Sequence, residues 1–528
     1  MIRYTSTKQL KLEFFKTPFE TDLDRENKWV KLSEIIPWDE LAGIYQKRMH
    51  KRHGHPSLSP RVAVGALIIK HIKGLSDELV IEEISENPYL QYFIGYEDYR
   101  TKRAFDPSLF VYIRKRMGFE EFTKFNELLI HRINELRTRH GSKKEDNTDD
   151  DPKGKAITSG TGEKQSEEVI IGKTTEPDDQ ECEENTGENE SKQKEPENKG
   201  LMLVDATVAE QKIKYPNDID LLNTSREKCE EIIDILYPES GLEKKPRTHR
   251  QKAGKLYLRI AKKKNRTAKV IRRAIKQQLN FVGRDIRIIS SLPDRYEKMP
   301  LDNRYLKLYW VIQELYRQQR EMYSEDKRSC DDRIVNIFQP YVRPIVRGKS
   351  GRKVEFGSKV NISLIDGMVM VSKISYDAYN ESGDLQQQIE QYKQTHGFYP
   401  EVVVADQIYG TRENRKYLRE PGVKYSGKPL GRRPKETEEN REELRENGEQ
   451  LKKYQNMRSE IEGNFGQSKN FYGLNQIAAR LEKTSISWIM GIFTGVNLIR
   501  VLKELKLFIF WLIRKYLPNE QMVAMAAI

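Results

Sequence analysis

The chain has 528 residues, 33% of them charged, with 93 Lys and Arg against 80 Asp and Glu and a formal net charge of +13. A mean hydropathy of −0.78 and a pI of about 9.2 describe a soluble, multi-domain protein with modest cores and a polyanionic partner. Three scattered cysteines (Cys182, Cys229, Cys330) with no Cys-x2-Cys pair exclude a disulfide scaffold and structural zinc and point to a reducing cytoplasm.

Residues 1–140 are predicted to form an all-α N-terminal domain. Met1-Ile2-Arg3-Tyr4 leads into no apolar stretch, so no secretory leader is expected. His50, His53 and His55, with Lys51 and Arg52 among them, read as a basic solvated loop, because no acid or cysteine stands nearby to complete a metal site. From Pro60 the pattern is helical: Val62, Leu67, Ile68 and Ile72 recur at helix spacing, Gly74 ends the segment, and Ser76 caps the next, which stops at Asn87-Pro88. Further helices are expected over 107–117 and 120–136. Two short helices about a glycine turn, carrying Arg61, Lys70 and Lys73, suit either a helix-turn-helix or a plain bundle for dimer contacts. The second helix is acidic (Asp77, Glu78, Glu82, Glu83, Glu86), poor chemistry for a major groove; Arg114-Lys115-Arg116 is the better phosphate candidate.

Residues 141–200 hold 18 Asp and Glu against 9 Lys with almost no aliphatics, the composition of a disordered acidic linker. It serves either as a spacer or as a cover for basic surface. Without it the remainder carries +22. Residues 201–207 are predicted as a first strand, Leu201-Met202-Leu203-Val204 delivering Asp205. A long polar helical insertion follows over 220–340. Between Lys244 and Lys276 it has 15 Lys and Arg and no acid. Lys262, Lys263, Lys264, Arg266, Arg272 and Arg273 in that run are read as phosphate-backbone contacts. Tyr257, Tyr305, Tyr309, Trp310 and Tyr316 are expected in the core.

Order returns at Tyr341-Val342-Arg343-Pro344-Ile345. Lys359–Ile365 and Met368–Ile374, separated by Asp366-Gly367, form a predicted hairpin; turn chemistry accounts for Asp366 without making it a fourth site acid. A helix over 383–396, a strand over 401–406 ending on Asp406, a helix over 411–419, a short strand over 422–425 and a helix from Met457 to Tyr516 complete the chain. Leu507–Ile513, the most apolar run, is too short to cross a bilayer, so no membrane partner is expected. The catalytic domain is placed at 201–505 and a C-terminal helix and tail at 506–528. The fold class is α/β: without the insertion the order is β-β-β-α-β-α-β-α, that of a ribonuclease-H-like mixed sheet.

Asp205 and Asp406 end β-branched-rich apolar runs, and a third acid, Glu462, lies in the late helix. Three carboxylates on separate elements can hold two divalent cations, which neutralise both the attacking and the leaving oxygen of a phosphodiester. Arg458, Glu462 and Lys469, at i, i+4 and i+11, fall within about 40° on one helix face, stacked over roughly 16 Å. Glu460 points to another face.

These residues resemble the DDE transposases of bacterial insertion sequences. Val204-Asp205-Ala206-Thr207, Ala405-Asp406-Gln407-Ile408-Tyr409-Gly410 and Arg458-x3-Glu462-x6-Lys469 are similar to its three motifs. The last is written Y-x2-R-x3-E-x6-K; the tyrosine position is Gln455 here, with Tyr454 one residue off. The similarity extends to Arg343-Pro344-Ile345-Val346-Arg347-Gly348-Lys349, whose Arg343, Arg347 and Lys349 are assigned to DNA, and to Glu355-Phe356-Gly357-Ser358-Lys359. The resemblance implies that Asp205, Asp406 and Glu462 bind two Mg²⁺ ions, with Mn²⁺ as a substitute, and that Arg458 and Lys469 hold phosphates beside the cut. It further implies cleavage at terminal inverted repeats, direct strand transfer into target double-stranded DNA, and a homodimer in a synaptic complex on the cytoplasmic nucleoid. A nuclease of the same fold that cuts without joining, or an inactive DNA-binding derivative, would share the motifs.

Overall fold

The computed structural model describes residues 22–49, 57–142, 197–292, 299–346, 354–428 and 440–516, with 296, 430, 431, 437 and 438. Two compact units are distinguished, residues 1–133 with 198–528, and residues 134–197. The three-histidine loop, the body of the acidic segment, Cys182, Arg347 and Lys349 lie outside the described residues.

The N-terminal helices are α1 (Lys28–Ile35), α2 (Trp38–Gln46), α3 (Pro60–Lys73), α4 (Asp77–Glu86), α5 (Pro88–Phe93), α6 (Phe110–Arg116) and α7 (Phe119–Ser142). Then follow β1 (Leu201–Glu210), α8 (Asp218–Leu236), α9 (Arg250–Ala261), α10 (Ala268–Ser290), α11 (Asn303–Ser324), β2 (Arg343–Val346), β3 (Val354–Ile365), β4 (Met368–Ser375), α12 (Leu385–His396), β5 (Val402–Ala405), α13 (Arg412–Arg419), β6 (Lys424–Tyr425), α14 (Arg441–Phe471) and α15 (Glu482–Tyr516).

The sheet is mixed, in the order β2-β3-β1-β5-β6, with β4 also paired to β3. β1 runs antiparallel to β3 and parallel to β5. Gly357 of β3 pairs with Glu210 on one edge and Arg343 on the other, so β2 shares the edge of β3 that β4 occupies further along. The β3–β4 hairpin closes on Asp366 and Gly367, whose φ angles are 49° and 78°. Two positive φ values define the type I′ turn that Asp-Gly favours. Sequence patterning missed β2, a four-residue strand interrupted by Pro344. It also joined α14 to α15, which are separate: Leu474 and Ile477 of the intervening segment are buried, and Ile477 bridges to Gln211 just past β1.

Val208 and Ala209 are buried and β1 runs to Glu210, three residues beyond its expected end at 207, so Asp205 lies mid-strand. The anticipated boundary at 505/506 falls inside α15. Over Glu482–Leu505 that helix is apolar and long enough to cross a membrane, but 78% of the window is buried within the protein, the mark of a core helix. Asn497 fixes it to the hairpin. Its Oδ1 accepts from the Val369 N–H at 2.7 Å, and its Nδ2 donates to the Val369 carbonyl at 2.8 Å and to Asn126 Oδ1 of α7 at 3.3 Å.

Several N-terminal cations expected near DNA are interior. Every residue of α3 from Pro60 to His71 is buried, and the helix packs on α15. Arg61 donates to Ser33 Oγ at 2.7 Å and to the Phe93 and Tyr92 carbonyls, and stacks over Trp38. Lys70 reaches Asp77 at 3.0 Å, and Arg114 grips the same carboxylate through two bonds of 2.9 and 2.7 Å. Both cations lie over the Trp488 ring of α15. Of the Arg114-Lys115-Arg116 triplet only Lys115 is exposed; Arg116 bonds Tyr45 Oη. A helix-turn-helix reading through these residues is therefore corrected to a bundle welded to α15.

The insertion has its own core, in which Leu222, Cys229, Ile233 and Leu236 of α8 meet Val282 and Ile289 of α10 and Ile312 of α11. Trp310 is not part of it: it stands 69% exposed on α11, a correction to its expected core position. Asp285, with no side-chain exposure, bonds Arg284, yet burial pushes its carboxyl up to about 6 against the pull of Arg284. A carboxyl raised in the folded state contributes stability that is full below about 4 and lost as pH rises through about 6. Asp285→Asn is therefore expected to stabilise the insertion by about 1–3 kcal/mol at pH 7 and to lose that advantage below about pH 4, as read by thermal melts across pH.

Candidate metal and DNA-cleavage site

Val204 pairs with Ala405 across the parallel β1–β5 ladder, so Asp205 and Asp406 stand one step further on, Asp205 within β1 and Asp406 just past the end of β5. The β5 run of buried valines ends at Ala405 because Asp406 opens a 3-10 turn and caps it, its Oδ1 accepting from the Gln407 N–H at 2.6 Å. α14 crosses this end of the sheet, held by buried Ile461 and Phe465, and contacts β1 and β5. Glu462, next to Ile461, is thereby brought to the two aspartates.

All three carboxylates gather round one guanidinium. Arg458 Nη1 lies 3.5 Å from Asp406 Oδ1, and Nη2 lies 3.9 Å from Asp205 Oδ2 and 3.8 Å from Glu462 Oε1. These are ion-pair distances, and the two longer ones exceed hydrogen-bond reach. Asp205 is the deepest of the three acids. Burial raises its carboxyl above the usual range; the Ala206 N–H and Arg458 pull it down, while the charges of Asp406 and Glu462 push it up. Asp205 thus senses the other two acids directly.

Among the described residues no group of three acids, histidines or cysteines is spaced to hold an ion as placed. The donor chemistry nevertheless fits: three carboxylates and no soft ligand are what hard divalent cations take. Asp406 and Glu462 are 51% and 63% exposed, with the Arg458 guanidinium lying between them.

Lys469 shares the α14 face as expected, seven residues past Glu462, and lies 3.8 Å from Glu355 of β3 rather than beside the acids. Tyr454 is half-buried against the core, and Gln455 is exposed. Arg343 is turned to its own backbone, bonding the Pro340 carbonyl, with Asp332 at 3.8 Å. Lys262, Lys263, Lys264 and Arg273 are exposed and make no ion pair among the described residues. Arg266 closes the α9–α10 loop on the Lys263 and Ala261 carbonyls, and Arg272 pairs with Asp326. Patterning did not find Tyr409, Asn361 and Gln388, which support the Asp406 turn; the available signal was a lone asparagine inside the apolar run Val360-Asn361-Ile362.

Residues 17–116 match the family model described as "Transposase domain (DUF772)", and residues 403–499 match "Transposase DDE domain". The second match contains Asp406, Arg458, Glu462 and Lys469; Asp205 and the insertion lie outside both. The chain is 33% identical over 111 residues to "Uncharacterized protein ORF8 in nfe locus" of Rhizobium meliloti, a match covering 20% of this chain and 52% of that protein. The chain thus spans about half the length of the curated relative it matches. No solved structure matches. The chain thus has a segment similar to a transposase domain near each end, at 17–116 and 403–499, and the second, similar to a DDE transposase domain, carries the acid-Arg-Glu-Lys set of the site.

Proposed function

We propose that the protein cuts DNA at the ends of its own element and joins them to target DNA on a ribonuclease-H-like core, with Asp205, Asp406 and Glu462 holding two Mg²⁺ ions. The observation that carries this reading is the convergence of three carboxylates from β1, the end of β5 and α14 on a single cation, Arg458. The ions supply charge neutralisation on the attacking and leaving oxygens. In the first reaction water attacks the phosphorus at the element end, and the 3′ oxygen leaves with a proton as a free hydroxyl. In the second that hydroxyl attacks a target phosphodiester, forming one P–O bond as another breaks, so no external energy source is required. Asp205, on a rigid strand, fixes the depth of the site; Glu462, on a helix, closes it from the side. Arg458 turns from the carboxylates to a phosphate of the scissile strand when their charge is taken up, and Lys469, about three turns along α14, meets the backbone further on.

The helical insertion provides the non-specific grip. The α9–α10 loop, Lys262 to Arg266, projects exposed cations without balancing acids, suited to a phosphate backbone. Replacing Lys262, Lys263, Lys264 and Arg273 together by glutamine is expected to weaken DNA binding and to reduce the slope of log K against log salt by up to about 3.6. Titrations at several salt concentrations check this, and an unchanged slope removes the loop from the interface. Two copies of the chain hold two ends, the N-terminal bundle serving as the rigid base.

The deciding experiment incubates the protein with labelled element ends, both intact and pre-cut, target DNA and Mg²⁺. Joined products are expected. Nicking without joining would leave a nuclease, and binding without nicking would leave an inactive derivative.

A further inference from the structure

The turn after Asp406 is anchored by a buried polar network on the opposite face of the sheet from Asp205. Asn361 of β3 pairs with Ala206, the residue after Asp205, and successive strand residues face opposite ways. Asn361 is fully buried. Its Oδ1 accepts from the Tyr409 hydroxyl at 3.0 Å and from Gln388 Nε2 at 3.1 Å, while its Nδ2 donates to Asp384 Oδ2 at 3.0 Å. Lys373 donates to the other Asp384 oxygen at 2.9 Å. These bonds define which end of the Asn361 amide is donor and which acceptor, so neither Leu nor Asp could take its place without leaving a buried group unmatched.

Tyr409 is the link from this network to the site. Its ring is fully buried, and its backbone N–H closes the turn on the Asp406 carbonyl at 3.0 Å. Its own carbonyl accepts from Asn414 Nδ2 at 2.9 Å. The Asp406 carbonyl also accepts from Tyr425 Oη at 2.8 Å. A phenylalanine would fill the same space. A hydroxyl buried there is tolerable only because it is bonded, and that bond ties the Asp406 turn to the strand paired with the Asp205 strand.

We propose that Tyr409, through Asn361, is a positioning residue that fixes the Asp406 turn against β1 and so sets the spacing between Asp205 and Asp406. The inference rests on the reading of those two residues as metal ligands. Asp406 is half-exposed on a short turn, and a ligand carboxylate must be held to within about 0.5 Å to be effective. The sheet holds Asp205; Asp406 lies just past the end of its strand and needs a second anchor.

The test uses the full-length chain and Mn²⁺, with binding followed by electron paramagnetic resonance. Site binding is defined as the part lost in Asp205→Asn. Tyr409→Phe removes one oxygen and keeps the ring. It is expected to melt cooperatively, to bind Mn²⁺ at the site about tenfold more weakly, and to lower the turnover number for cleavage while leaving DNA affinity unchanged. Tyr392→Phe is the control. It removes another buried phenol oxygen, bonded to the Lys199 carbonyl, and should leave site Mn²⁺ affinity at the wild-type value. Wild-type Mn²⁺ affinity in Tyr409→Phe, or an equal loss in Tyr392→Phe, overturns the positioning role while the carboxylate site stands. No loss of Mn²⁺ binding in Asp205→Asn overturns the site itself, and the inference with it.

Discussion

Asp205→Asn is expected to slow cleavage of labelled element ends by at least ~10³-fold, the several kcal/mol that two ions supply to the transition state of phosphodiester attack. Asp406→Asn and Glu462→Gln should do the same, each singly. The basis is that each acid comes from a different element and all lie within 4 Å of Arg458, so they act as a unit and their losses should not add. End binding should change by no more than a few-fold, because none of the three contributes positive charge to the backbone contact. Gel-shift and cleavage assays on one preparation separate the two quantities. A variant that cuts at the wild-type rate would remove its residue from the site.

Asp77→Ala is expected to destabilise the protein by about 3–5 kcal/mol, the cost of leaving a buried ion pair half-made. Asp77 faces two buried cations, Lys70 at 1% and Arg114 at 5% side-chain exposure. Its removal leaves both without the carboxylate, beneath Trp488. The same group makes stability depend on pH. Burial raises the Asp77 carboxyl, but the Arg114 bonds and the Lys70 charge outweigh it and hold it below the ordinary value of 3.8. A depressed carboxyl contributes stability that is present above about 4 and lost as pH falls through its folded value. Acid melts of the wild type should therefore show a loss that Asp77→Ala does not. Equal melting temperatures for the two proteins at pH 7 would show that the α3–α15 junction does not depend on this pair.

Much of the site was legible in the order of residues, and for a local reason. Apolar runs ending on Asp205 and Asp406 are patterns of four or five residues, and the Arg458, Glu462 and Lys469 face follows from helix pitch alone. The Asp366-Gly367 turn needed only two residues. The direction of N-terminal cations was not legible. Arg61, Lys70 and Arg114 look like surface charge in a chain with 93 Lys and Arg; Arg61 is buried against Trp38 and Ser33, and Lys70 and Arg114 against Asp77 and the distant Trp488. Trp310 errs the other way, an aromatic in a helical run that the insertion core does not reach.

From the sequence alone came most of the element types, the net positive charge and three candidate acids, because composition, periodicity and spacing are properties of neighbours along the chain. The tertiary structure alone decided that Arg458 sits between the acids, that Tyr409 is braced on Asn361, and that Asn497 of α15 joins the β4 backbone to Asn126 of α7, 371 residues apart. Each of these depends on groups from separate elements, and only the folded path of the chain brings them together, within ion-pair range at Arg458 and within hydrogen-bond range at Asn361 and Asn497.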